Sequence, residues 1–265
     1  MTGSPAPIGP EWDPAQYERY KAYRDRPALD LLVQIPADLY PSEIWDLGCG
    51  TGEHAALLAR RHPDAQVHGL DSSADMLKVA RERPAPVEWV EASIADFAPQ
   101  VAPDLIFTNA ALQWLPDHET LFPRLVRALA ADGVFACQMP MSFSQPWHVL
   151  MREVAAEGPW AERLANVRGV NPVADAQDYY AWLSPLGEVD IWSTTYLHAL
   201  TGDDPVVDWM LGTGLRPYVQ ALANEAERAA FLDAYRTRVA LGLPRRADGV
   251  TLFPFPRLFI VARRV

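Results

Sequence analysis

Short apolar runs and longer amphipathic segments take turns along the first half of the chain. EIWDL, QVHGLD, PVEWVEA, the start of PDLIFTNAALQW and VFACQMP are compact apolar runs bounded by Gly, Pro, Asp or Ser. They read as strands. Between them, GEHAALLARRHP, SSADMLKVARERP and ETLFPRLVRALAADG carry apolar residues at helical spacing. Pro63 and Gly133 serve as stops for the first and the last of these helices. Ahead of this alternation, Pro14 opens the helical run PAQYERYKAYRD, with Tyr17, Tyr20 and Arg24 on one face. RPALDLLVQIP reads as a second short helix ending at Pro36, and residues 1–10 are expected to lack fixed structure.

Strands alternating with helices predict βαβ units, right-handed connections and a mostly parallel sheet with helices on both faces. After Pro140 the rhythm breaks. Residues 141–184 read as helical and loop-rich, with Trp147, Trp160 and Trp182. EVDIWSTTYLHAL is a long strand, residues 203–242 are helical again, and TLFPFPRLFIVARR closes the chain as a strand. The last two strands have no second sheet to join, so they are expected at one edge of the first, giving a seven-stranded α/β fold. The helical pieces are expected as a cap inserted after the fifth strand, over the carboxyl edge. The expected divisions are 1–140 for the N-terminal helices and ligand-binding core, 141–186 for the cap, and 187–265 for the last strands with their inserted helices. Together they form one catalytic domain.

Bulk composition narrows the function. The chain has 265 residues, 49% of them hydrophobic and 22% charged, as in an ordinary globular protein. A net charge of −11 argues against nucleic acid as a partner. It leaves room for an anionic small molecule, because a pocket needs only a few local arginines. Cys49 and Cys137 stand far apart, which fits a reducing compartment. No leader pattern is visible in MTGSPAPIGPEWDP, and no apolar stretch reaches membrane-span length. The expected location is the cytoplasm, with no membrane partner, as a monomer or weak oligomer.

The chemistry concentrates at strand ends. WDLGCGTGEH places Gly48, Gly50 and Gly52 between a strand and a helix. Such a turn lets backbone approach a ligand, and the helix behind it offers free N–H groups. A dinucleotide site would read G-x-G-x-x-G and a triphosphate loop would end in G-K-[ST]; this reads G-x-G-x-G with no lysine. Asp71 closes the second strand, where a carboxylate can accept from a ribose diol; no core role is expected of it. Ser93 and Ile94 follow the third strand, placed to border an adenine. Asn109, Ala110, Gln113 and Trp114 follow the fourth. The four segments describe one cleft for a nucleoside without a phosphate-binding lysine.

DLGCGTG, Asp71 and NAALQW resemble the class I S-adenosylmethionine-dependent methyltransferases. LIFTNAALQWLPDHETLFPRLVRAL, GVFACQMP, LMREVAAEGPW, VDIWSTTYLHAL, GTGLRPY and FPRLFIVA resemble the trans-aconitate 2-methyltransferase family, from about Trp12 to the C-terminus. The resemblance implies a Rossmann-like fold and S-adenosylmethionine as cofactor. It implies a cofactor site of Asp46, Gly48, Cys49, Gly50, Asp71, Ser72, Met76, Ser93, Ile94, Asn109 and Ala110. It implies transfer of methyl to a carboxylate of trans-aconitate or a similar polycarboxylate, leaving S-adenosylhomocysteine. The chain departs from the family pattern at Met141, Ser142 and Phe143, where an Asp-Asn pair is usual, and at Ser93, where Asp is common.

An ionised carboxylate needs no general base, so no catalytic residue in the strict sense is assigned; Gln113 and Trp114 are expected to position the reactants. Cationic anchors are required, and arginine binds carboxylates bidentately. The expected acceptor residues are Arg216, Arg257, Arg24, Trp114, Trp147, His148 and Tyr17. Cys49 reads as a small loop filler, since no basic partner is evident. The histidines fall in no metal spacing, so no metal is expected. Two alternatives stay open: the same cofactor with a hydroxyl, amine or less charged acid as acceptor, and a nicotinamide-dependent oxidoreductase or non-catalytic nucleotide binder.

Overall fold

The structure is a computed structural model that describes residues 21–167 and 173–265. Its centre is one seven-stranded sheet of β1 Glu43–Leu47, β2 Gln66–Asp71, β3 Val87–Glu91, β4 Leu105–Asn109, β5 Val134–Pro140, β6 Gly187–Thr201 and β7 Val250–Arg264. The strand order is β3-β2-β1-β4-β5-β7-β6. The pairs β1–β2, β2–β3, β1–β4 and β4–β5 are parallel, and β7 runs antiparallel to β5. The last two strands therefore lie at one edge, as the pattern of the sequence predicts. The order reverses between β1 and β4, which makes their carboxyl ends the place where an open sheet binds ligands.

The chain divides into two compact units. Among the described residues, 22–141, 173–196 and 255–265 form a sheet unit, while 142–167 and 197–254 form a helical unit. In the sheet unit, α1 Lys21–Leu32 and α2 Glu53–Arg61 pack Ala28, Leu31, Ala55 and Leu58 against Ile44, Phe107, Ala136 and Phe259. On the opposite face, α4 His118–Ala128 and α7 Ala176–Leu183 pack Phe122, Leu125, Tyr179 and Leu183 against Ile106, Phe135, Cys137 and Ile260. Successive strand residues thus enter different cores, the period-2 signature of a sheet covered on both sides. The remaining strand-joining helix is α3 Ala74–Arg81, whose N-cap Ser73 accepts from Met76 N at 3.3 Å.

The helical unit contains α5 Pro146–Glu157, α6 Ala161–Leu164, α8 Pro205–Leu211, α9 Arg216–Ala221 and α10 Glu225–Gly242. Its interior is aromatic: the Trp147 ring lies 4.4 Å from Phe253, and Tyr235 Oη donates to Trp147 O at 3.1 Å. Among the described residues, no helix is long and apolar enough to cross a membrane.

Two helix boundaries differ from expectation. The break foreseen between PAQYERYKAYRD and RPALDLLVQIP does not occur, because α1 continues through Pro27. Proline removes one N–H from the ladder, but buried Ala28, Leu31 and Leu32 hold the helix to the sheet. The helix α4 ends at Ala128, short of Gly133. Ala130 N donates to Pro103 O at 2.8 Å, so the backbone there is captured by the loop ahead of β4 instead of continuing the helix. Expectations for residues 1–20 lie outside the described residues.

Candidate active site

All three glycines of the β1–α2 turn are left-handed, with φ of +75° at Gly48, +54° at Gly50 and +77° at Gly52. Their surroundings differ. A Cβ on Gly48 would lie 2.3 Å from Ala111 Cβ, and one on Gly52 would lie 2.3 Å from the Trp89 ring. Those two are bare because the protein packs against them, which corrects the view that the whole motif serves a ligand. Gly50 is the exception: a Cβ there would meet nothing within 4 Å. The turn is pinned from behind, with Gly48 N and Cys49 N both donating to Leu70 O at 2.7 and 3.0 Å.

Two carboxylates bracket this turn. Asp71 Oδ2 accepts from Gly50 N and Oδ1 from Ser73 N, each at 2.8 Å. Asp71 therefore fixes both the glycine turn and the entry to α3, which corrects the expectation that it has no structural role. Each oxygen keeps a second lone pair, so a ribose diol remains a fitting partner. Ser72 beside it is exposed and Met76 half-buried. Asp46 is 1% exposed and its Oδ2 has no hydrogen-bond partner among the described residues. Burial, and then the charge of Asp71, push its pKa up to about 8, against a backbone hydrogen bond from Ala55 that pulls it down. A buried carboxyl with one unpartnered oxygen suits a cationic ligand group. Burial and the same two aspartates raise the Cys49 thiol far above its ordinary range, which removes it as a nucleophile.

Past β3, Ser93 Oγ accepts from Ala95 N at 3.1 Å and starts the short turn Ile94–Asp96. Arg124 donates to Ile94 O at 2.9 Å and Phe97 O at 2.8 Å. Ile94 Cδ1 comes within 3.6 Å of the place a Gly48 Cβ would occupy, so the ends of β1 and β3 share one wall. Arg124 was not legible as a site residue; in the helix run LFPRLVRAL it reads as one of two arginines on an amphipathic helix.

Past β4, Ala110 takes φ +54°, an uncommon conformation for a residue with a side chain. It is held on both sides, its N donating to Gln138 O at 2.9 Å and its O accepting from Gln113 Nε2 at 2.6 Å. Trp114, on the turn Leu112–Trp114, is 42% exposed. Beneath this turn lies His118, 3% exposed, with Nε2 2.9 Å from Leu112 O and Nδ1 2.5 Å from Tyr179 Oη. A carbonyl only accepts, so Nε2 carries the proton and Nδ1 accepts from the Tyr179 hydroxyl. Tyr179 Oη in turn accepts from Ala174 N at 3.2 Å. Burial lowers the His118 pKa and keeps the ring neutral.

Comparison with known proteins decides the family. Residues 44–133 match a methyltransferase domain. A trans-aconitate 2-methyltransferase of an Azoarcus species is 48% identical over 256 residues, covering 96% of this chain and 100% of the relative. The enzyme of the same name from Methylobacterium nodulans is also 48% identical, covering 96% and 98%. The chain belongs to the trans-aconitate 2-methyltransferase family. Among solved structures, the YcgJ protein of Bacillus subtilis shares the fold, with a TM-score of 0.59, 16% identity and coverage of 90% of this chain and 98% of that one.

Within this member of the family, Asp46, Gly48, Cys49, Gly50, Asp71, Ile94, Asn109 and Ala110 converge at the carboxyl ends of β1 to β4 in the sheet unit. Arg257 belongs to the same unit. It is 4% exposed, pairs with Pro140 at the carboxyl end of β5, and lies over the Phe255 ring at 4.5 Å. Arg216, Trp147 and His148 belong to the helical unit. Arg216 opens α9 and is half-buried. A Cβ on Gly214 would lie 2.9 Å from the His148 ring, so His148 packs against the loop that carries Arg216. Trp147 is fully buried in the aromatic core. That placement ties it to the packing of its own unit. Arg24 falls on α1, its side chain outside the described residues, and Tyr17 lies wholly outside them.

Proposed function

We propose that the chain transfers a methyl group from S-adenosylmethionine to a carboxylate of trans-aconitate or a closely similar polycarboxylate, yielding a monomethyl ester. The observation that carries this reading is Asp46, a buried carboxyl with an unpartnered oxygen, next to a glycine turn whose only open position is Gly50. The names of the relatives supply the acceptor.

Bound in this cleft, the cofactor would supply a methyl group on a positively charged sulfur, open to displacement by a carboxylate oxygen with the sulfur keeping the electron pair. The chain's own residues bind and orient. Asp46 holds the ammonium end, Asp71 accepts from the ribose hydroxyls while fixing Gly50, and Ser93, Ile94 and Met76 border the base. Gln113, tied to the backbone at Ala110, and Trp114 wall the transfer region. Arg257 anchors the acceptor. A carboxylate is ionised at neutral pH, so no residue has to move a proton. The free thiols of Cys49 and Cys137 support a cytoplasmic setting. The net charge of −11 supports a small-molecule substrate over nucleic acid.

A methyl-transfer assay reading S-adenosylhomocysteine release tests this, with trans-aconitate, cis-aconitate, isocitrate and a monocarboxylic control as acceptors. Strong preference for trans-aconitate is expected. Cofactor binding without turnover on any acid would move the reading to another acceptor class.

A further inference from the structure

A row of polar side chains crosses one face of the sheet at its carboxyl edge. Partners in register on neighbouring strands point to the same face. Asp46 pairs with Phe107, Asn109 with Gln138, Gln138 with Phe259, and Pro140 with Arg257. Phe107, Ala136 and Phe259 share one buried cluster, whereas Ile106, Cys137 and Leu258 belong to the opposite one. Asp46, Asn109, Gln138 and Arg257 therefore stand on the same face of four adjacent strands, β1, β4, β5 and β7. The row runs from an acid at one end to a guanidinium at the other, with two carboxamides between.

Gln138 is the residue in this row that packing does not explain. Its side chain is fully buried, and neither Oε1 nor Nε2 has a hydrogen-bond partner among the described residues. Asn109 Oδ1 beside it is likewise unpartnered. Burying an amide with both halves unpaired is costly, and native chains rarely keep one without a ligand or water to meet it. The charges at the ends of the row say which ligand fits. The acid end suits the cofactor's ammonium, and the guanidinium end suits an anion. A carboxamide N–H between them donates to an anion without neutralising it, so a carboxylate held there stays nucleophilic.

We propose that Gln138 reads the carboxylate that receives the methyl group, with Nε2 donating to it and Arg257 anchoring a second carboxylate of the same molecule. This rests on the proposed function and adds to it a specificity-determining residue. Gln138 and Arg257 are diagonal neighbours on antiparallel strands, about 7–8 Å apart at Cα, so a single short polycarboxylate spans them. A monocarboxylate reaches one partner and not both. Oε1 accepts from a water retained with the anion. The ligand class is therefore a small polycarboxylate with neighbouring carboxylates, and the recognition lies in the sheet unit.

Two variants of the full chain test this. Gln138→Met keeps the volume and removes both polar atoms; Gln138→Asn keeps the amide and withdraws it by one methylene. For each, three quantities are measured: affinity for S-adenosylmethionine, affinity of trans-aconitate for the protein saturated with S-adenosylhomocysteine, and KM with kcat. Both variants should bind the cofactor as the wild type does, lose about tenfold or more in trans-aconitate affinity and show KM raised by about the same factor, as expected when a hydrogen bond to a charged group is lost. Unchanged trans-aconitate affinity in Gln138→Met, with a raised melting temperature, would overturn the proposal and mark the amide as a water-satisfied core group. Should Gln138→Met not fold, unchanged affinity in Gln138→Asn overturns it equally. A wild type that binds trans-aconitate without turnover would refute the reaction alone, leaving the binding arm to decide Gln138. A wild type that does neither would overturn both.

Discussion

Asp46 shows how burial sets the charge of a single side chain. Its carboxyl is buried next to Asp71, and its pKa is pushed from the ordinary 3.8 up to about 8. The folded chain thus holds a proton that the unfolded chain releases above pH 4. Folding stability from this group is greatest at low pH and falls as pH rises between about 4 and about 8. Asp46→Asn removes the titration while keeping the shape. Relative to the wild type, the unliganded variant should gain stability steadily from pH 5 to pH 8 in denaturant titrations. A cation placed against Asp46 favours the ionised form, so cofactor binding at pH 7 should expel a proton. Calorimetry in buffers of different ionisation enthalpy reads that proton directly, and its absence would remove Asp46 from contact with the ammonium. The glycines teach a related lesson about single residues. Their need for positive φ was legible in the spacing G-x-G-x-G, but the reasons for Gly48 and Gly52 were not. Those reasons are Ala111, from the loop after β4, and Trp89, from β3.

At the scale of elements, strands and most helices were legible because apolar period and Gly or Pro punctuation are local. The boundaries that moved were decided by distant partners. Ala130 leaves α4 for Pro103 O, and α1 passes Pro27 because its buried face is held by the sheet. The same holds for the turn that carries Gln113 and Trp114. Its support is the chain of hydrogen bonds from Ala174 N to Tyr179 Oη to His118 Nδ1, and from His118 Nε2 to Leu112 O. Nothing in TNAALQWLPDH announces a tyrosine some sixty residues later as the partner of His118. Tyr179→Phe removes a buried hydroxyl that both donates and accepts, so it should cost about 1–3 kcal/mol of stability. If the turn positions the reactants, kcat should also fall while affinity for S-adenosylmethionine holds. A loss of stability with kcat unchanged would limit Tyr179 and His118 to a folding role.

Over the whole molecule, the chain divides into a sheet unit and a helical unit, and the arginine proposed to anchor the acceptor, Arg257, belongs to the sheet unit. A buried guanidinium at the carboxyl edge of the sheet can bind a carboxylate bidentately, out of water. Arg257 meets the description at 4% exposure. The residues read as a cofactor cleft were legible because they end or follow successive strands. The nearness of Gln138 to Arg257 was not, since the register of β5 with β7 is set only by the tertiary fold. Gln138 did leave a trace, as the one amide in the apolar run VFACQMP. Arg257→Ala should raise KM for trans-aconitate by about ten- to a hundredfold and leave cofactor affinity unchanged. Arg257→Lys, which keeps the charge and loses the fork, should fall between the two if bidentate binding matters. Arg216→Ala is assayed in parallel. A response to Arg257 alone would confine acceptor recognition to the sheet unit, and a response to neither would place the anion anchors elsewhere. Because Arg257 is buried, melting temperatures must accompany the kinetics. A variant that loses stability without changing the ratio of the two substrates' KM values has lost a packing residue and not an anchor.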